Sequence, residues 1–455
     1  NMLIPIILGS SKDLKHGTLI SEGLKKYGLD TIIRVCSAHK YPTRVLDLIN
    51  KYNNDGTVPV MVTIAGKSNA LSALIDGSVD IPIISCPPLN NDTMYDLYSS
   101  VSMPTEIAPM VVLKPNNAVI AVLKICGLIE PKYRLAVHGI HKTNRDILRI
   151  DDIKEKYNHI VVTKPEENID CLGGLIRNGK IRDIYTINNN DNQLGMVATE
   201  RLSSFDKVLT TIPMKSMVLN KVSAWWFNQT KHFIPNHLVD SNYNDLSIVE
   251  KCTVFPIEFV MRSYMTGSTK TSIWQNYLKG SRHYCGHSLR DGYKKNDKLD
   301  QILLTPTTKS DISDELISEK EILEQNIMSE EHWNICKEYA IKLFEFGQRV
   351  ADKRGLILVD TKYEFGLTDD GRVLLIDEVH TPDSSRFWFK HSYQERIANR
   401  KEPENLDKEI IRRWVKENYQ DPYTADNITI PDDLRDKLSK VYLQFYELIT
   451  GSELV

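Results

Sequence analysis

The sequence predicts a doubly wound α/β domain with a parallel sheet, followed by an α+β domain. Short apolar runs of strand length alternate with helical patterns in the first part of the chain, which is typical of a parallel sheet covered by helices on both faces. Farther along, the segments become longer and mixed. The length of 455 residues also exceeds what one hydrophobic core usually supports. The strand-like runs are residues 2–8 (MLIPIIL), 58–65 (VPVMVTIA), 80–85 (DIPIIS) and 109–113 (PMVVL).

Helical patterns such as LISEGLKKYG and NNAVIAVLKICGL separate these runs. We therefore assign residues 1–157 to the first domain. The next stretch interrupts this alternation of strands and helices, because it contains many charged residues, Pro165 and a glycine pair. It therefore predicts a linker at 158–168. In the second domain, 169–455, the segment GKIRDIYTINNNDNQLGMVATE predicts a hairpin over a polar turn, and MVLNKVSAWWFNQTKHF predicts a helix.

Composition narrows the class of protein. With 41% hydrophobic and 26% charged residues and no apolar run of about 18 residues, we expect a soluble protein without a membrane span. The opening NMLIPIILGSSKD has too short an apolar stretch and no basic leader for a secretory signal, so we expect a cytoplasmic location. Seven cysteines without a CxxC pair are interpreted as packing thiols. A net charge of −3 argues against a nucleic-acid partner.

Three loops of the first domain are candidate ligand-binding segments. LGSSKD follows a strand and opens a helix, so its backbone N–H groups would face a phosphate at the positive end of the helix dipole; a plain capped turn is the alternative. VCSAHKYPT and AGKSNALSALIDG follow two further apolar runs. Because open α/β sheets bind ligands at the carboxyl ends of their strands, we expect the three loops to converge.

The segments GSSKD, SAHK, AGKSN and ISCPPL, in this order, resemble the phosphoribosylaminoimidazole carboxylase family, in the form that adds CO2 directly to aminoimidazole ribonucleotide (AIR). The resemblance spans nearly all of residues 2–150. It implies a flavodoxin-like fold, chemistry without biotin, and a homo-octamer assembled through this domain. AIR and its product, carboxyaminoimidazole ribonucleotide (CAIR), would then contact Gly9, Ser10, Asp13, Ser37, Lys40, Gly66, Lys67, Ser68 and Asn69.

His39 is the natural general base for this reaction. Because the aminoimidazole carbon is a weak nucleophile, the addition of CO2 needs a dry pocket and a group that removes the ring proton afterwards. The alternative is a histidine that only stabilises its loop. The family usually has a second serine where this chain has Lys12, which could instead meet a phosphate as a point charge. A degenerate domain that serves only as an assembly scaffold is the corresponding alternative function.

In the second domain, residues 359–388 (VDTKYEFGLTDDGRVLLIDEVHTPDSSRFW) predict two strands around a tight turn, with charges that a half-buried sheet would normally exclude. If Asp370 and Gly371 form a two-residue loop, Glu364 lies opposite Asp377. Like charges in that position destabilise a hairpin, and a divalent cation would remove the conflict. Hard oxygen ligands favour Mg²⁺ shared with nucleotide phosphates. The alternative is an exposed, solvated face.

Strand alternation places Asp360 and Lys362 on the same face as Glu364. In NGKIRDIY, Lys180 and Arg182 lie two apart on a predicted strand and share one face, beside a glycine that would let a phosphate approach the backbone. EFVMRSYMTGS and TPDSSRF supply groups that could grip a second phosphate and a carboxylate. These groups are Arg262, Ser268 and Arg386.

Together with ATERLSSFD and LTPTTKSD, these segments resemble the phosphoribosylaminoimidazole-succinocarboxamide (SAICAR) synthase family over about residues 175–450. The resemblance implies an ATP-grasp-like fold that joins CAIR to L-aspartate with ATP and Mg²⁺. Since the product of the first reaction is the substrate of the second, we expect a bifunctional enzyme; the alternative is a synthase with an inactive scaffold domain. The implied roles are ATP binding by Gly179, Lys180, Arg182 and Lys362, Mg²⁺ binding by Glu364 and Asp377, CAIR or aspartate binding by Asp206, Arg262, Ser268, Lys309, Ser385 and Arg386, and catalysis by Lys362 and Asp383.

Overall fold

The computed structural model describes residues 2–89, 96–158, 169–205, 207–309, 315–425 and 428–454. Its contacts divide the chain into two compact units, residues 1–145 and 146–455. The division falls within one continuous helix, Pro131–Asn158. The predicted linker lies outside the described residues except for its first residue, so the boundary at 157 stays a prediction. Within the described ranges, no helix has both the length and the apolar character that a membrane crossing requires.

Strands and helices alternate along the first unit. The strands are β1 (Leu3–Leu8), β2 (Asp30–Val35), β3 (Met61–Ile64), β4 (Ile83–Ser85) and β5 (Met110–Val111). The helices are α1 (Leu14–Lys25), α2 (Pro42–Asn53), α3 (Ala70–Asp76), α4 (Tyr98–Val101), α5 (Pro115–Ile129) and α6 (Pro131–Asn158), of which α6 continues into the second unit, and a short 3₁₀ turn covers Ser11–Asp13.

The five strands pair in parallel in the order β2-β1-β3-β4-β5, which is the flavodoxin-like order. Alternate side chains of β1 enter two apolar layers. Ile4 and Ile6 pack with Ile20 of α1, whereas Ile7 packs with Val45 and Ile49 of α2. Because both faces are covered, every β1 residue except the first is fully buried. The predicted doubly wound sheet is confirmed.

The second unit is α+β. Its strands are β6 (Leu172–Asn178), β7 (Arg182–Ile187), β8 (Asn190–Ala198), β9 (Arg201–Ser204), β10 (Lys207–Thr211), β11 (Leu238–Asp240), β12 (Leu246–Glu250), β13 (Thr253–Val254), β14 (Ile257–Tyr264), β15 (His283–Tyr284), β16 (His287–Ser288), β17 (Lys298–Leu304), β18 (Thr307–Thr308), β19 (Leu356–Leu367), β20 (Val373–Ile376) and β21 (Ser385–Phe389). Its helices are α7 (Lys215–Thr230), α8 (Ile273–Leu278), α9 (Glu319–Glu324), α10 (Glu330–Lys353), α11 (Lys390–Ala398), α12 (Glu409–Asn418) and α13 (Asp432–Thr450).

Two sheets organise this unit. One is antiparallel with the order β11-β12-β8-β7-β6, and its β7–β8 hairpin is the one that the sequence predicts. The other is built on β19, which pairs with β13, β14, β20 and β21. Helix α7, also predicted, and helix α10 bury apolar faces in one core with β14 and β19. Trp333 of α10 stacks on Phe259 of β14, with ring centroids 5.1 Å apart.

Local signals explain where α10 begins. The hydroxyl oxygen of Ser329 accepts a hydrogen bond from the backbone N–H of His332 at 3.2 Å, and Glu330 and Glu331 place negative charge in the first turn. The helix is followed by Gly355, whose φ of +78° favours glycine. This helix is therefore fixed at both ends, and it holds β19 beneath it.

The hairpin of β19 and β20 has a longer loop than the sequence suggests. The backbone N–H of Thr368 donates to the carbonyl of Arg372 at 3.0 Å, and the N–H of Gly371 donates to the carbonyl of Thr368 at 3.0 Å. The loop therefore holds three residues and ends at Gly371, with φ of +85°. The Thr368 hydroxyl also accepts the N–H of Arg372 at 2.9 Å, which closes this longer loop. The predicted two-residue turn is wrong by one residue.

Candidate active sites

The predicted loops of the first unit lie side by side at the carboxyl ends of its strands. The N–H of Gly9 donates to the carbonyl of Ile64 at 2.8 Å, and the N–H of Cys36 donates to that of Leu8 at 2.8 Å. A Cβ atom on Gly9 would lie 3.4 Å from the Cβ of Ala65, so the first and third loops touch. This edge of the sheet is where open α/β proteins bind ligands.

The polar residues of these loops differ in exposure. Ser10 is half-buried, and its hydroxyl accepts the backbone N–H of Lys12 at 3.2 Å, while the Lys12 side chain is exposed. Ser37 is half-buried, and His39 and Lys40 are exposed in the turn that follows β2. Ser10 and Ser37 therefore offer hydroxyls, His39 an imidazole, and Lys12 and Lys40 ammonium groups to an anionic ligand.

The third loop is held by Asn69. Its amide nitrogen donates to the hydroxyls of Ser85 at 2.7 Å and Ser100 at 2.8 Å, and its amide oxygen accepts from the hydroxyl of Ser72 at 2.6 Å. The side chain is buried and is committed to these contacts. It anchors the loop, whereas Lys67 is exposed with φ of +29°.

One group of this site was missed from the sequence. His16 lies one turn after Asp13, and its Nε2 is 3.3 Å from Sγ of Cys86 in the loop after β4. Burial raises the pKa of the Asp13 carboxyl and lowers the pKa of His16, and the interaction between the two residues opposes both shifts. The only sequence signal is the spacing of three, which places Asp13 and His16 on one side of the helix start.

Two cavities open in the second unit and share one wall. The larger has a volume of about 590 Å³ and the smaller about 520 Å³. Among the predicted residues, the larger cavity is lined by Asp360, Arg262, Asp383, Ser385 and Arg386. The smaller is lined by Gly179, Arg182, Lys309, Glu364 and Asp377, together with apolar side chains that include Ile184, Leu194, Met196 and Val249. The shared wall consists of Lys180, Ile181, Glu258, Lys362 and Glu378.

Two predicted assignments are corrected by this division. Lys309 lines the smaller cavity with the predicted nucleotide residues, so it does not lie beside the predicted CAIR groups. Ser268 does not line the larger cavity; it lines a separate small pocket of about 30 Å³ behind Arg386, because its loop turns away there and the neighbouring residues 269–272 face the larger cavity. Asp206, also predicted to bind substrate, lies outside the described residues.

A chain of alternating charges forms the shared wall. The ammonium nitrogen of Lys362 lies 2.7 Å from Oε1 of Glu258 and 2.8 Å from Oε1 of Glu364, whose other oxygen contacts Lys309. Burial alone would raise the pKa of Glu364, but Lys362 and Lys309 outweigh it and lower the pKa to about 2. Two lysines thus neutralise the charge of Glu364. The predicted common face of Lys362 and Glu364 on β19 is confirmed by their contact.

The sequence predicts that Asp377 lies opposite Glu364 in the hairpin, and this prediction is wrong. Glu364 lies opposite Ile376, and Asp377 follows the strand with φ of +64°. The two carboxyls nevertheless interact across the smaller cavity. Burial and then the charge of Glu364 raise the pKa of Asp377 to about 6, although Arg182, 3.6 Å away, opposes the shift. The predicted repulsion between the two carboxylates therefore exists, and it raises the pKa of Asp377 but not that of Glu364.

Lys180 and Arg182 do not share a strand face. Arg182 is the first residue of β7 and forms an ion pair of 2.7 Å with Glu378, whereas Lys180 lies in the preceding turn. That turn is tight, since a Cβ atom on Gly179 would lie 2.2 Å from the carbonyl oxygen of Arg182. Glycine is therefore required at this position by the turn itself, and the predicted two-residue strand spacing is wrong.

Two arginines of the larger cavity converge on one carboxylate. Nη1 of Arg262 lies 3.4 Å from Oδ2 of Asp360, which also contacts Arg386. The neighbouring Ser385 shares a hydrogen bond of 2.7 Å with the hydroxyl of Thr361. The side chains of Arg262, Asp360 and Arg386 are at most 14% exposed, and Thr361 and Ser385 are buried. One carboxylate thus orients two guanidinium groups and leaves an excess positive charge in the cavity wall.

Asp383 is likewise a single carboxylate shared by two cations, which here are lysines. Its carboxylate is fully buried, lies 2.9 Å from Nζ of Lys215 and 3.7 Å from Nζ of Lys408, and accepts the hydroxyl of Tyr442 at 2.5 Å. Burial alone would raise the pKa of Asp383, but Lys215 and Lys408 outweigh it and lower the pKa. Asp383 therefore remains ionised and orders its neighbours.

Several groups of the larger cavity were missed from the sequence. They come from LDKEIIRRW, before and within α12, and from the start of α7, which is otherwise apolar. A charged stretch at a helix start usually indicates a solvated surface, so the sequence carried no signal that these side chains line a cavity or support it. The residues are Lys215, Asp407, Lys408 and Arg412.

Comparisons with known proteins agree with this geometry. The family model of SAICAR synthetase matches residues 175–426, and that of AIR carboxylase matches residues 3–146. A chloroplastic phosphoribosylaminoimidazole-succinocarboxamide synthase of Arabidopsis thaliana is 51% identical over 327 residues, which cover 71% of this chain and 78% of that protein. The synthase of Legionella pneumophila (strain Paris) is 48% identical over 278 residues, 61% of this chain and 88% of that protein.

Among solved structures, a SAICAR synthase from Saccharomyces cerevisiae in complex with SAICAR aligns with a TM-score of 0.53 and 30% identity, covering 64% of this chain and 99% of that chain. The two matched families follow one another along the chain without overlap. The chain therefore belongs to the SAICAR synthetase family and carries an AIR carboxylase domain ahead of its synthetase domain, as a bifunctional enzyme of purine synthesis.

Proposed function

We propose that the first unit carboxylates AIR with CO2 directly and that the second joins the resulting CAIR to L-aspartate with ATP. The observation that supports the second step is the pair of cavities with a common wall. The smaller cavity has the apolar walls that a nucleotide base requires, and the larger has the arginines and lysines that a ribonucleotide phosphate and carboxylates require. The γ-phosphate and the CAIR carboxylate would meet at Lys362.

Lys362 suits this position because it keeps its charge. Burial alone would lower its pKa, but Glu364 and Glu258 raise it well above the ordinary value. Its ammonium group can therefore stabilise the negative charge that develops on the phosphoryl group during transfer. Lys180 lies on the same wall as Lys362, and Lys309 contacts Glu364, which also contacts Lys362. Aspartate would then displace phosphate from the acyl phosphate in the larger cavity.

Mg²⁺ would be held by Glu364 and Asp377 together with the ATP phosphates. The fit is supported by the donor set, two carboxylates facing one cavity. It is also supported by the raised pKa of Asp377, which burial causes first and the charge of Glu364 second; a cation would relieve the second cause. When bound, the ion would screen the phosphates and hold them in line. Lys309 and Lys362 both contact Glu364 in this cavity.

In the first unit, His39 would remove the ring proton after CO2 has added, while Gly9, Ser10, Asp13 and Lys40 hold the ribonucleotide. The support is their placement on adjoining loops at the carboxyl ends of the strands. The remaining predicted contacts, Ser37 and the loop of residues 66–69, lie on the same edge; within that loop, the Asn69 side chain would support the loop and not the ligand. We also propose the boundaries 1–157, 158–168 and 169–455, and a cytoplasmic location stays a prediction.

We further propose that the protein is a homo-octamer assembled through its first domain. Large apolar side chains are exposed there, which monomeric proteins rarely display in number. Leu128 is 80% exposed, Leu135 71% and Ile129 61%. Light scattering coupled to size-exclusion chromatography should give eight chains for the full protein, and a monomer at micromolar concentration would contradict assembly through this surface.

One omission assay tests both reactions. The protein is supplied with AIR, bicarbonate, aspartate, ATP and Mg²⁺, and one component is left out at a time. Without aspartate or ATP, AIR should still be converted to CAIR; with CAIR supplied, bicarbonate should become unnecessary. If AIR consumption required ATP, direct use of CO2 would be wrong. If supplied CAIR were converted but AIR never consumed, the first domain would be only a scaffold.

A further inference from the structure

Asp407 stands out among the carboxyl groups that line the larger cavity. Its Oδ1 accepts the backbone N–H of Glu409 at 2.8 Å, which fixes the side chain at the start of α12. Its Oδ2 is buried and has no hydrogen-bond partner in the described part of the chain, and the whole residue is only 2% exposed. A buried carboxyl oxygen without a partner is costly, so it calls for a functional explanation.

The other carboxyl groups of this cavity already have partners. Asp360 holds two arginines, Asp383 holds two lysines and a tyrosine, Glu258 accepts Lys362, and Glu378 accepts Arg182. Oδ2 of Asp383 also accepts no hydrogen bond, but it forms an ion pair with Lys215 at 2.9 Å. Among the described carboxyl groups of this cavity, Asp407 is therefore the one with a buried oxygen that has neither a hydrogen bond nor an ion pair. A cationic group of a substrate would find its acceptor there.

The charges around Asp407 keep it close to titration at neutral pH. Burial and then Glu409 raise the pKa of Asp407 to about 7, while Arg386 and Arg412 oppose the shift. The charged and titratable groups that face it are Arg386 on β21, Lys408 beside it, Glu409 and Arg412 on α12, and Tyr442 on α13. A carboxyl poised in this way can accept a proton and release it again in each turnover.

The ligation has a step that needs such a group. This need arises if the second unit has the function proposed above. Aspartate enters as an ammonium ion, and its nitrogen has no lone pair for attack on an acyl phosphate until a proton leaves. Lys408 and Arg412, on the same wall as Asp407, offer positive charge to the two carboxylates of aspartate.

We propose that Asp407 binds the ammonium group of the incoming aspartate through Oδ2 and takes its proton. The freed lone pair then forms the C–N bond to the acyl carbon, and the C–O bond to phosphate breaks with both electrons leaving on the phosphate oxygen. The second proton of the nitrogen passes to the departing phosphate. Asp407 returns its own proton to solvent when the product leaves, so protons and charge balance.

The test compares two nucleophiles on the Asp407→Asn variant of the full chain. Asparagine keeps an oxygen that can accept the N–H of Glu409, so α12 keeps its start. Hydroxylamine is uncharged at neutral pH and needs no base, and it traps the acyl phosphate as a hydroxamate. With CAIR, ATP and Mg²⁺, we expect the variant to lose at least about 100-fold in aspartate ligation and to keep hydroxamate formation within about threefold. Asp433→Asn, on an exposed position of α13, is the matched control.

The outcomes separate this inference from the proposed function. If wild type forms no amide from CAIR and aspartate, the proposed function fails. If wild type is active but Asp407→Asn loses both nucleophiles equally, or neither, Asp407 is not the proton acceptor. A measurement on wild type needs no variant: kcat/KM for aspartate should level off above about pH 7 with an enzymic base. A rate that kept rising toward the pKa of the free amine would overturn the proposal.

Discussion

Removing the charge of Glu364 or of Asp377 should change the stability of the ligand-free protein in opposite directions. The pKa of Glu364 falls from an ordinary value of 4.5 to about 2, because Lys362 and Lys309 outweigh burial. The pKa of Asp377 rises from 3.8 to about 6, because burial and Glu364 outweigh Arg182. The folded state therefore favours the charge on Glu364 and disfavours the charge on Asp377.

The magnitudes follow from these shifts. At ~1.4 kcal/mol for each pKa unit, either shift corresponds to ~3 kcal/mol of unfolding free energy at neutral pH. Asp377→Asn should stabilise the ligand-free protein by up to that amount. Glu364→Gln leaves two lysines without their shared partner but also relieves Asp377, so we expect a net loss of ~2 kcal/mol.

The pH dependence has opposite signs for the two groups. Glu364, with its lowered pKa, contributes stability that is present above pH 4.5 and is lost as the pH falls toward about 2. Asp377, with its raised pKa, imposes a penalty that is complete above about pH 6 and absent below pH 3.8. The advantage of Asp377→Asn over wild type should therefore shrink as the pH is lowered from neutrality to about 4.

Tryptophan fluorescence during urea unfolding is the appropriate assay, because all six tryptophans lie in the second unit. Asp369→Asn, which removes an exposed charge from the hairpin loop, is the matched control and should leave the midpoint unchanged. If Glu364→Gln were as stable as wild type, or if Asp377→Asn were less stable, the charge balance described for the smaller cavity would be refuted.

Three further variants test other parts of the molecule. Asp383→Asn should lose about 3–5 kcal/mol of stability, because it leaves Lys215 and Lys408 buried without their carboxylate; an unchanged melting temperature would contradict this. His39→Asn should stop carboxylation of AIR and leave conversion of supplied CAIR intact, as followed by product chromatography; loss of both in a folded protein would refute separate sites. Lys12→Ser should keep carboxylase activity with an altered KM for AIR, whereas activity that appeared only in the variant would show that the wild-type domain is a scaffold.

The sheet of the first unit was predictable because its signals are local. Four of the five strands are short apolar runs, and the loops after them carry their own glycine, serine or proline, as Gly9 illustrates. The exception is the edge strand β2 (DTIIRV), which is partly exposed and is not among the predicted runs. The hairpin of β19 and β20 was also predictable, but its register was not. One hydroxyl, that of Thr368, closes a loop with one more residue than the Asp-Gly pair suggests, and a shift of one residue moves every opposing pair.

The ionic partners could not be predicted, because they join residues that are far apart along the chain. Lys215 meets Asp383, Arg182 meets Glu378, and Lys309 meets Glu364. Each of these charges alone resembles a solvated surface residue, and only the fold shows that its side chain is buried or shared. For this reason the sequence singled out Glu364 and Asp377 as charged residues of one hairpin but missed Lys215 as the partner of the fully buried Asp383.

The two cavities of the second unit differ in charge, and this difference follows from how carboxylates are shared. In the larger cavity, Asp360 serves two arginines and Asp383 serves two lysines, so each group retains one positive charge for an anionic substrate. In the smaller cavity, the cations are matched by carboxylates: Arg182 pairs with Asp377 and Glu378, and Lys309 and Lys362 contact Glu364. Because every one of these side chains is already oriented by a protein partner, the binding of substrate or metal changes which charges are neutralised without first having to order the wall.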